Sequence, residues 1–206
     1  VTIANSTFTG TTNGTIGTNA TFPSGHVIQT TQLFYPQQFA TTTNSASSTS
    51  GSYQQITDGS GNDFKLAITS KKANSKFLVQ QCYGQVVAHN TGSGHGISIR
   101  LLRDITGGTS NVSVAESTGI RTPKGSYMLS TSSHTYDGGA RFFQFLDSPN
   151  QSAGTTITYK VHMMVHSSAP DNFTVLFNYN AGASSSGSYG YQASSASTFI
   201  IQEISA

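Results

Sequence analysis

Charge is what this chain has least of: Asp, Glu, Lys and Arg make up 9% of its 206 residues, against the ~25% usual in soluble domains. The ten basic and eight acidic residues nearly cancel, so the basic stripe that marks a nucleic-acid binder is missing. Cysteine is nearly absent too. Cys82 is the only one, which excludes an intrachain disulfide and leaves the fold to be held by its core and by subunit packing. Cys82 lies in the apolar stretch "KFLVQQCYGQVV", where a buried, inert thiol is expected rather than a nucleophile. No stretch of 18 apolar residues occurs, which excludes a transmembrane helix, and no secretory signal pattern is visible. The chain begins at Val1 rather than Met, so an upstream region that is missing or was removed is expected.

Hydrophobic residues are also scarce, at 35%, a level that borders on disorder. Disordered chains, however, lack aromatics and carry net charge, whereas this one has 12 Phe and 9 Tyr in β-branched surroundings. The length suits one domain with some extension and is enough to bury a real core. What fills the sequence is Ser, Thr, Asn, Gln and Gly, the uncharged polar exterior of extracellular and virion proteins.

The chain's pattern is that of strands. No sustained 3.6-residue periodicity appears, and apolar residues alternate instead. Strands are expected at 26–35, 52–57, 64–69, 76–88, 96–104, 111–116, 126–130, 140–146, 156–166, 173–179 and 197–204. Gly, Ser, Asn, Asp and Pro clusters separate them. Polar loops are expected at 41–52, 105–110, 130–139 and 180–195. In "STFIIQEIS", Phe199, Ile201 and Glu203 share one face and Ile200, Gln202 and Ile204 the other. An acid on an apolar face points to a strand end or to a charge pair across a subunit boundary. Residues 1–24 are mostly Thr, Asn, Gly and Ser, with isolated apolar residues at Ile3, Phe8, Ile16 and Phe22, too little for a core. They are expected to form an extended arm on an all-β, antiparallel sandwich or jelly-roll domain spanning 25–206.

"TITYKVHMMVH" ends in H-x-x-x-H, the spacing that lets two imidazoles on a helix share a metal ion. Yet Ile157, Tyr159, Val161, Met163 and Val165 recur with period two, so the segment is a strand. His162 and His166 are then about 13 Å apart, too far for one zinc. The metalloprotease form also needs Glu after the first His, where Met163 stands. With Lys160, the residues His162, Met164 and His166 form the opposite face, expected to meet another subunit, as is Glu203. His95, among glycines in "GSGHGIS", is expected at an exposed strand entrance and, with Tyr136, Tyr189 and Tyr191, in the loops that would serve surface recognition.

No other motif carries chemistry. The six aspartates sit mostly at turns, which their side chains cap, and nothing selects a glycosidase pair. "TDGSGND" lacks the closing Glu of a calcium loop. No nucleophile elbow, phosphate loop or dinucleotide fingerprint occurs. Neither a catalytic nor a metal site is expected, nor a cofactor.

Several stretches carry a resemblance. "ANSKFLVQQCYGQV" (73–86) is similar to the S-S-K-I-L-V opening of a central strand in tail-fibre and appendage proteins of tailed bacteriophages, especially marine ones. "RLLRD" (100–104) and "FLDSPNQSAGTTITYKV" (145–161) resemble that family's L-x-R-D and Y-L-D-S-P…T-Y segments, and "STFIIQEISA" its closing strand. "GTIGTNATFPSGHVIQTTQ" (14–32) is similar to the linker leading into such domains. The motifs are short and mark strand starts and turns; the loops at 41–52 and 180–195 are longer than the family's pattern. The resemblance implies a β-sandwich or jelly-roll module in a virion appendage, often trimeric, packed with other virion proteins and with loops that reach the host surface. A capsid decoration protein is one alternative. Another is a carbohydrate-binding module that stacks Tyr136, Tyr189 or Tyr191 on sugar rings of a host glycan. Neither nucleic-acid binding nor membrane insertion is expected.

Overall fold

The computed structural model describes residues 23–36, 39–44, 53–57, 63–84, 86–89, 95–110, 112–114, 128–131, 141–166, 172–178 and 196–206. The expected arm up to residue 22, the expected loop at 180–195 and all but the first two residues of the one expected at 130–139 lie outside the described residues; those two belong to a strand. Among these residues the regular elements are all strands. They are β1 (Val27–Tyr35), β2 (Phe39–Asn44), β3 (Gln54–Gln55), β4 (Lys65–Thr69), β5 (Lys76–Tyr83), β6 (Val86–His89) and β7 (His95–Ile105). β8 (Val112–Ser113), β9 (Met128–Thr131), β10 (Arg141–Asp147), β11 (Thr156–His166), β12 (Asn172–Phe177) and β13 (Ser197–Ile204) follow.

Two antiparallel layers make a β-sandwich. The first is β1-β13-β5-β10. In the second, β11 and β7 are central. β3 and β4 share the free edge of β11, and β8 and β9 share that of β7. A three-stranded ladder, β2-β12-β6, prolongs the first layer: β1 leads into β2, β5 leads into β6, and β12 takes the place of β13. The junction is pinned by side chains. Asn178 donates to the Tyr35 carbonyl at 2.8 Å, Ser197 Oγ donates to Asn178 Oδ1 at 2.8 Å, and the Gly84 N–H donates to Ser197 Oγ at 3.3 Å. Asn178 turns the chain with φ of 55°, a left-handed conformation that asparagine tolerates better than most residues.

Two expectations need correction. The single strand expected at 76–88 is two, because Tyr83 and Val86 are both buried although three residues apart. The period of two slips by one between them, as at a bulge, and Gly84 sits at the slip. The loop expected from 41 also begins four residues too early. β2 runs to Asn44 and pairs with β12 from Phe39↔Phe177 to Asn44↔Asn172. Threonine is polar but β-branched, and it suits a pleated strand.

The core lies between the layers. β13 contributes Phe199 and Ile201, β5 contributes Phe77, Val79 and Tyr83, and β11 contributes Ile157, Tyr159, Val161 and Met163, all 0–1% exposed. Each such side chain contributes about 1.5–3 kcal/mol by leaving water. Phe64 joins the layers, with its ring 5.8 Å from those of both Tyr83 and Phe199. Cys82 departs from expectation: it falls on the outward parity of β5 and is only half-buried.

Phe199→Ala removes a fully buried ring from this contact. It is expected to destabilise the protein by about 3–5 kcal/mol, read as a lower urea midpoint with an unchanged denaturant slope.

Candidate functional site

Cross-strand register places two carboxylates in one row on the inner face of the first layer. Asp147 of β10 and Glu203 of β13 are both partnered with Phe77 of β5, which stands between them. Both acids are buried, and each has its own set of donors.

Asp147 reaches across the sandwich. Arg103 Nη1 of β7 lies 2.6 Å from both carboxylate oxygens, and the Tyr159 hydroxyl of β11 donates to Oδ2 at 2.7 Å. Burial, reinforced by the adjacent Asp147 charge, pushes the Tyr159 hydroxyl far above its ordinary pKa, so it stays a donor at any working pH. One residue on, Asp104 pairs with Lys160 at 2.6 Å on the opposite face of the second layer.

Glu203 binds a turn. The Lys71 N–H donates to Oε1 at 2.9 Å and Oε2 at 3.0 Å, and the Lys72 N–H to Oε1 at 3.0 Å. Gln29 Nε2 donates to Oε2 at 2.6 Å, and Ser70 Oγ lies 3.1 Å from Oε1. Burial raises the carboxyl pKa, but the hydrogen bonds, led by that of Lys71, outweigh it and hold the group below its usual value. The turn at 70–75 joins β4 in one layer to β5 in the other, so this acid fastens the crossing. Glu203 was expected at a subunit boundary; the structure places its carboxylate wholly inside its own chain, one residue from the strand's end.

His162 stands on the outer face of the second layer, as period two requires, opposite Arg100 on β7 and Gln55 on β3. Arg100 lies over the Tyr53 ring at 4.3 Å. Both His162 ring nitrogens are buried without a hydrogen-bond partner. Burial, then the Arg100 and Lys160 charges, lowers its pKa to about 4 against the weaker pull of Asp104 and Asp63. Met164 and His166 continue β11 opposite Ser98 and Gly96, and His95 pairs with Thr131. The side chains of these three, and Tyr136, Tyr189 and Tyr191 altogether, lie outside the described residues. Because β11 is a strand, the helical geometry of H-x-x-x-H does not arise.

Sequence reasoning missed the Arg103–Asp147–Tyr159 contact. "L-x-R-D", "L-D-S-P" and "T-Y" were visible as separate fragments, but only strand pairing brings them together.

No family model matches the chain, and neither does any curated protein sequence. Solved structures that resemble it include an infectious bursal disease virus VP2 subviral particle, with a TM-score of 0.41 and 9% identity over 87% of this chain and 38% of that one. The Gx strain of the same virus gives a TM-score of 0.42 and 8% identity over 90% and 39%. The chain thus spans less than two-fifths of the length of these proteins, and likeness at this level carries no argument about function.

Asp147→Ala leaves the Arg103 charge buried and uncompensated, for an expected loss of about 3–5 kcal/mol. Its measurement is chemical denaturation at neutral pH. Histidine linkage gives a second expectation. The folded state holds His162 neutral down to about pH 4, whereas the unfolded chain protonates near 6.5. Stability therefore falls as the pH drops from 6.5 to 4, and His162→Gln should flatten that slope. After allowance for solvent screening the effect is about 1–2 kcal/mol, readable as a difference in melting temperature between pH 7 and pH 4.5.

Proposed function

We propose that this chain is a structural component of a virus particle, a fibre, tail-tip or other appendage domain of a tailed bacteriophage, with no catalytic role. It assembles as a homo-oligomer, threefold as the sequence resemblance implies. One observation carries the reading. The residues in which the sequence resembles phage appendage proteins are those that fasten the sandwich. Arg103 belongs to "RLLRD", Asp147 to "LDSP", Tyr159 to the "T-Y" segment and Glu203 to the closing strand, and together they form the two buried clamps. A motif set of this kind preserves a scaffold, and a scaffold is what an appendage module supplies.

On this reading residues 25–206 form the module and residues 1–24 connect or anchor it. The tyrosine-bearing segments around Tyr136 and Tyr189–Tyr191 then serve contact with the host surface. A chain with few charges and no disulfide gains durability by burying surface against copies of itself.

Gold-labelled antibody against the chain, imaged on purified particles, tests the assignment. Label on the tail or another appendage is the expected outcome. Label spread over the shell would favour capsid decoration, and its absence from particles would remove the virion reading.

A further inference from the structure

The outer face of the first layer is neutral, mixes apolar side chains with amides and hydroxyls, and carries no second layer among the described residues. Its cross-strand rows follow from register. One row is Phe34–Thr198–Cys82–Phe142 and the next is Gln32–Ile200–Gln80–Gln144. The third row ends with Leu78 beside Leu146. Phe34 is 58% exposed, Phe142 61% and Leu146 49%, three large apolar side chains facing water on one surface. The rows contain no charged residue; Lys76 stands beyond them at the end of the face.

From these rows we infer that the face is a contact between two copies of this chain. Charge and shape both suit a second copy, and charge disfavours a strongly charged partner. A face without charges can meet itself with no ion buried, which removes the largest cost of closing such a contact. Its glutamines both donate and accept, so a row of amides is complementary to its own copy; Gln80 already bonds Gln144 in this way, at 3.1 Å. In the first row two phenylalanines about 14 Å apart flank the short side chains of Thr198 and Cys82. That leaves a trough that accepts Phe142 of the second copy under a twofold relation. Four strands by about six residues give roughly 400 Å² a side, so about 800 Å² in all, below the 1,200–2,000 Å² of a stable complex. The contact is therefore weak alone and effective where copies are held together, as in a particle. In that respect it rests on the proposed function, and it adds a pairwise contact to any threefold assembly.

Cys82, the sole thiol, sits in the trough and reports its closure. The full chain is reacted with Ellman's reagent from micromolar to about one millimolar, a range that spans weak association, alongside light scattering. The expected result is a labelling rate that falls by about tenfold at the top of the range, as bound copies shield the thiol, together with a rise in mass. Phe142→Lys, at an exposed position, should keep labelling fast at every concentration without changing the melting temperature. A wild-type rate independent of concentration overturns the inference, as does equal slowing in Phe142→Lys. Slow labelling at every dilution would assign the face to a cover within the same chain, such as residues 1–22, and also overturns it. Oligomers in which Cys82 stays reactive sink this contact but leave the virion reading standing. Absence of the chain from particles sinks that reading whatever the thiol reports.

Discussion

Two buried carboxylates held in one row at one end of the sandwich are the constraint on which the rest depends. Asp147 and Glu203 flank Phe77 on the inner face of the first layer. A buried charge is costly unless every lone pair finds a donor, and each acid solves this with groups from elsewhere in the chain. Asp147 uses Arg103 and Tyr159 from the second layer. Glu203 uses the backbone of the turn that crosses between layers. A layer that slid or rotated would strand a charge, so the acids fix the mutual register of two sheets whose apolar contacts alone would tolerate slippage.

The same end carries further fastening. The 70–75 turn meets the 148–155 turn through backbone hydrogen bonds: the Ser70 N–H to the Thr155 carbonyl at 2.9 Å, the Gly154 N–H to that of Ser70 at 2.7 Å, and the Asn74 N–H to that of Gln151 at 2.8 Å. Gln29 adds the edge of β1 by donating to the Thr69 carbonyl as well as to Glu203. Turns that would otherwise be solvated loops are thereby part of the rigid body, with few charged side chains committed to the task.

Much of the strand layout was legible in the sequence because alternation is a local signal. β11 begins and ends where its β-branched and aromatic period does, and β13 likewise. Where the signal is weak, the reading failed. β2 has threonines in place of apolar residues and needed its partner β12 to be recognised. The slip at Gly84 leaves apolar residues on both sides of it, in Phe77–Val79 and in Val86–Ala88, so composition could not show that the two halves pair with different neighbours. The clamps were invisible for another reason. Arg103 and Asp147 are 44 residues apart, and Gln29 and Glu203 are 174 apart, distances over which a single sequence records no pairing. Glu203 was noticed as an acid on an apolar face. Alternation could say that it points inward, but not that a turn waits there to receive it.

The few charges are also unevenly placed, and this asymmetry bears on orientation. On the second layer's outer face Lys160 pairs with Asp104, Arg100 covers Tyr53, and Asp63 beside the edge strand pairs with Lys65. Of these pairs Lys65–Asp63 is the one that faces water and gains little by being covered, since exposed ion pairs contribute little and are expensive to dehydrate, whereas Lys160–Asp104 is already largely withdrawn from solvent. The first layer's outer face offers amides, methyl groups and phenyl rings instead. Covering it releases water from apolar surface without stripping an ion. A sandwich with one charged and one neutral face has a preferred side for meeting its neighbours, and that preference follows from the parity of β1, β5, β10 and β13 alone. A chain with so little charge can keep one face water-loving only by concentrating its charges there. The other face is then left without charge.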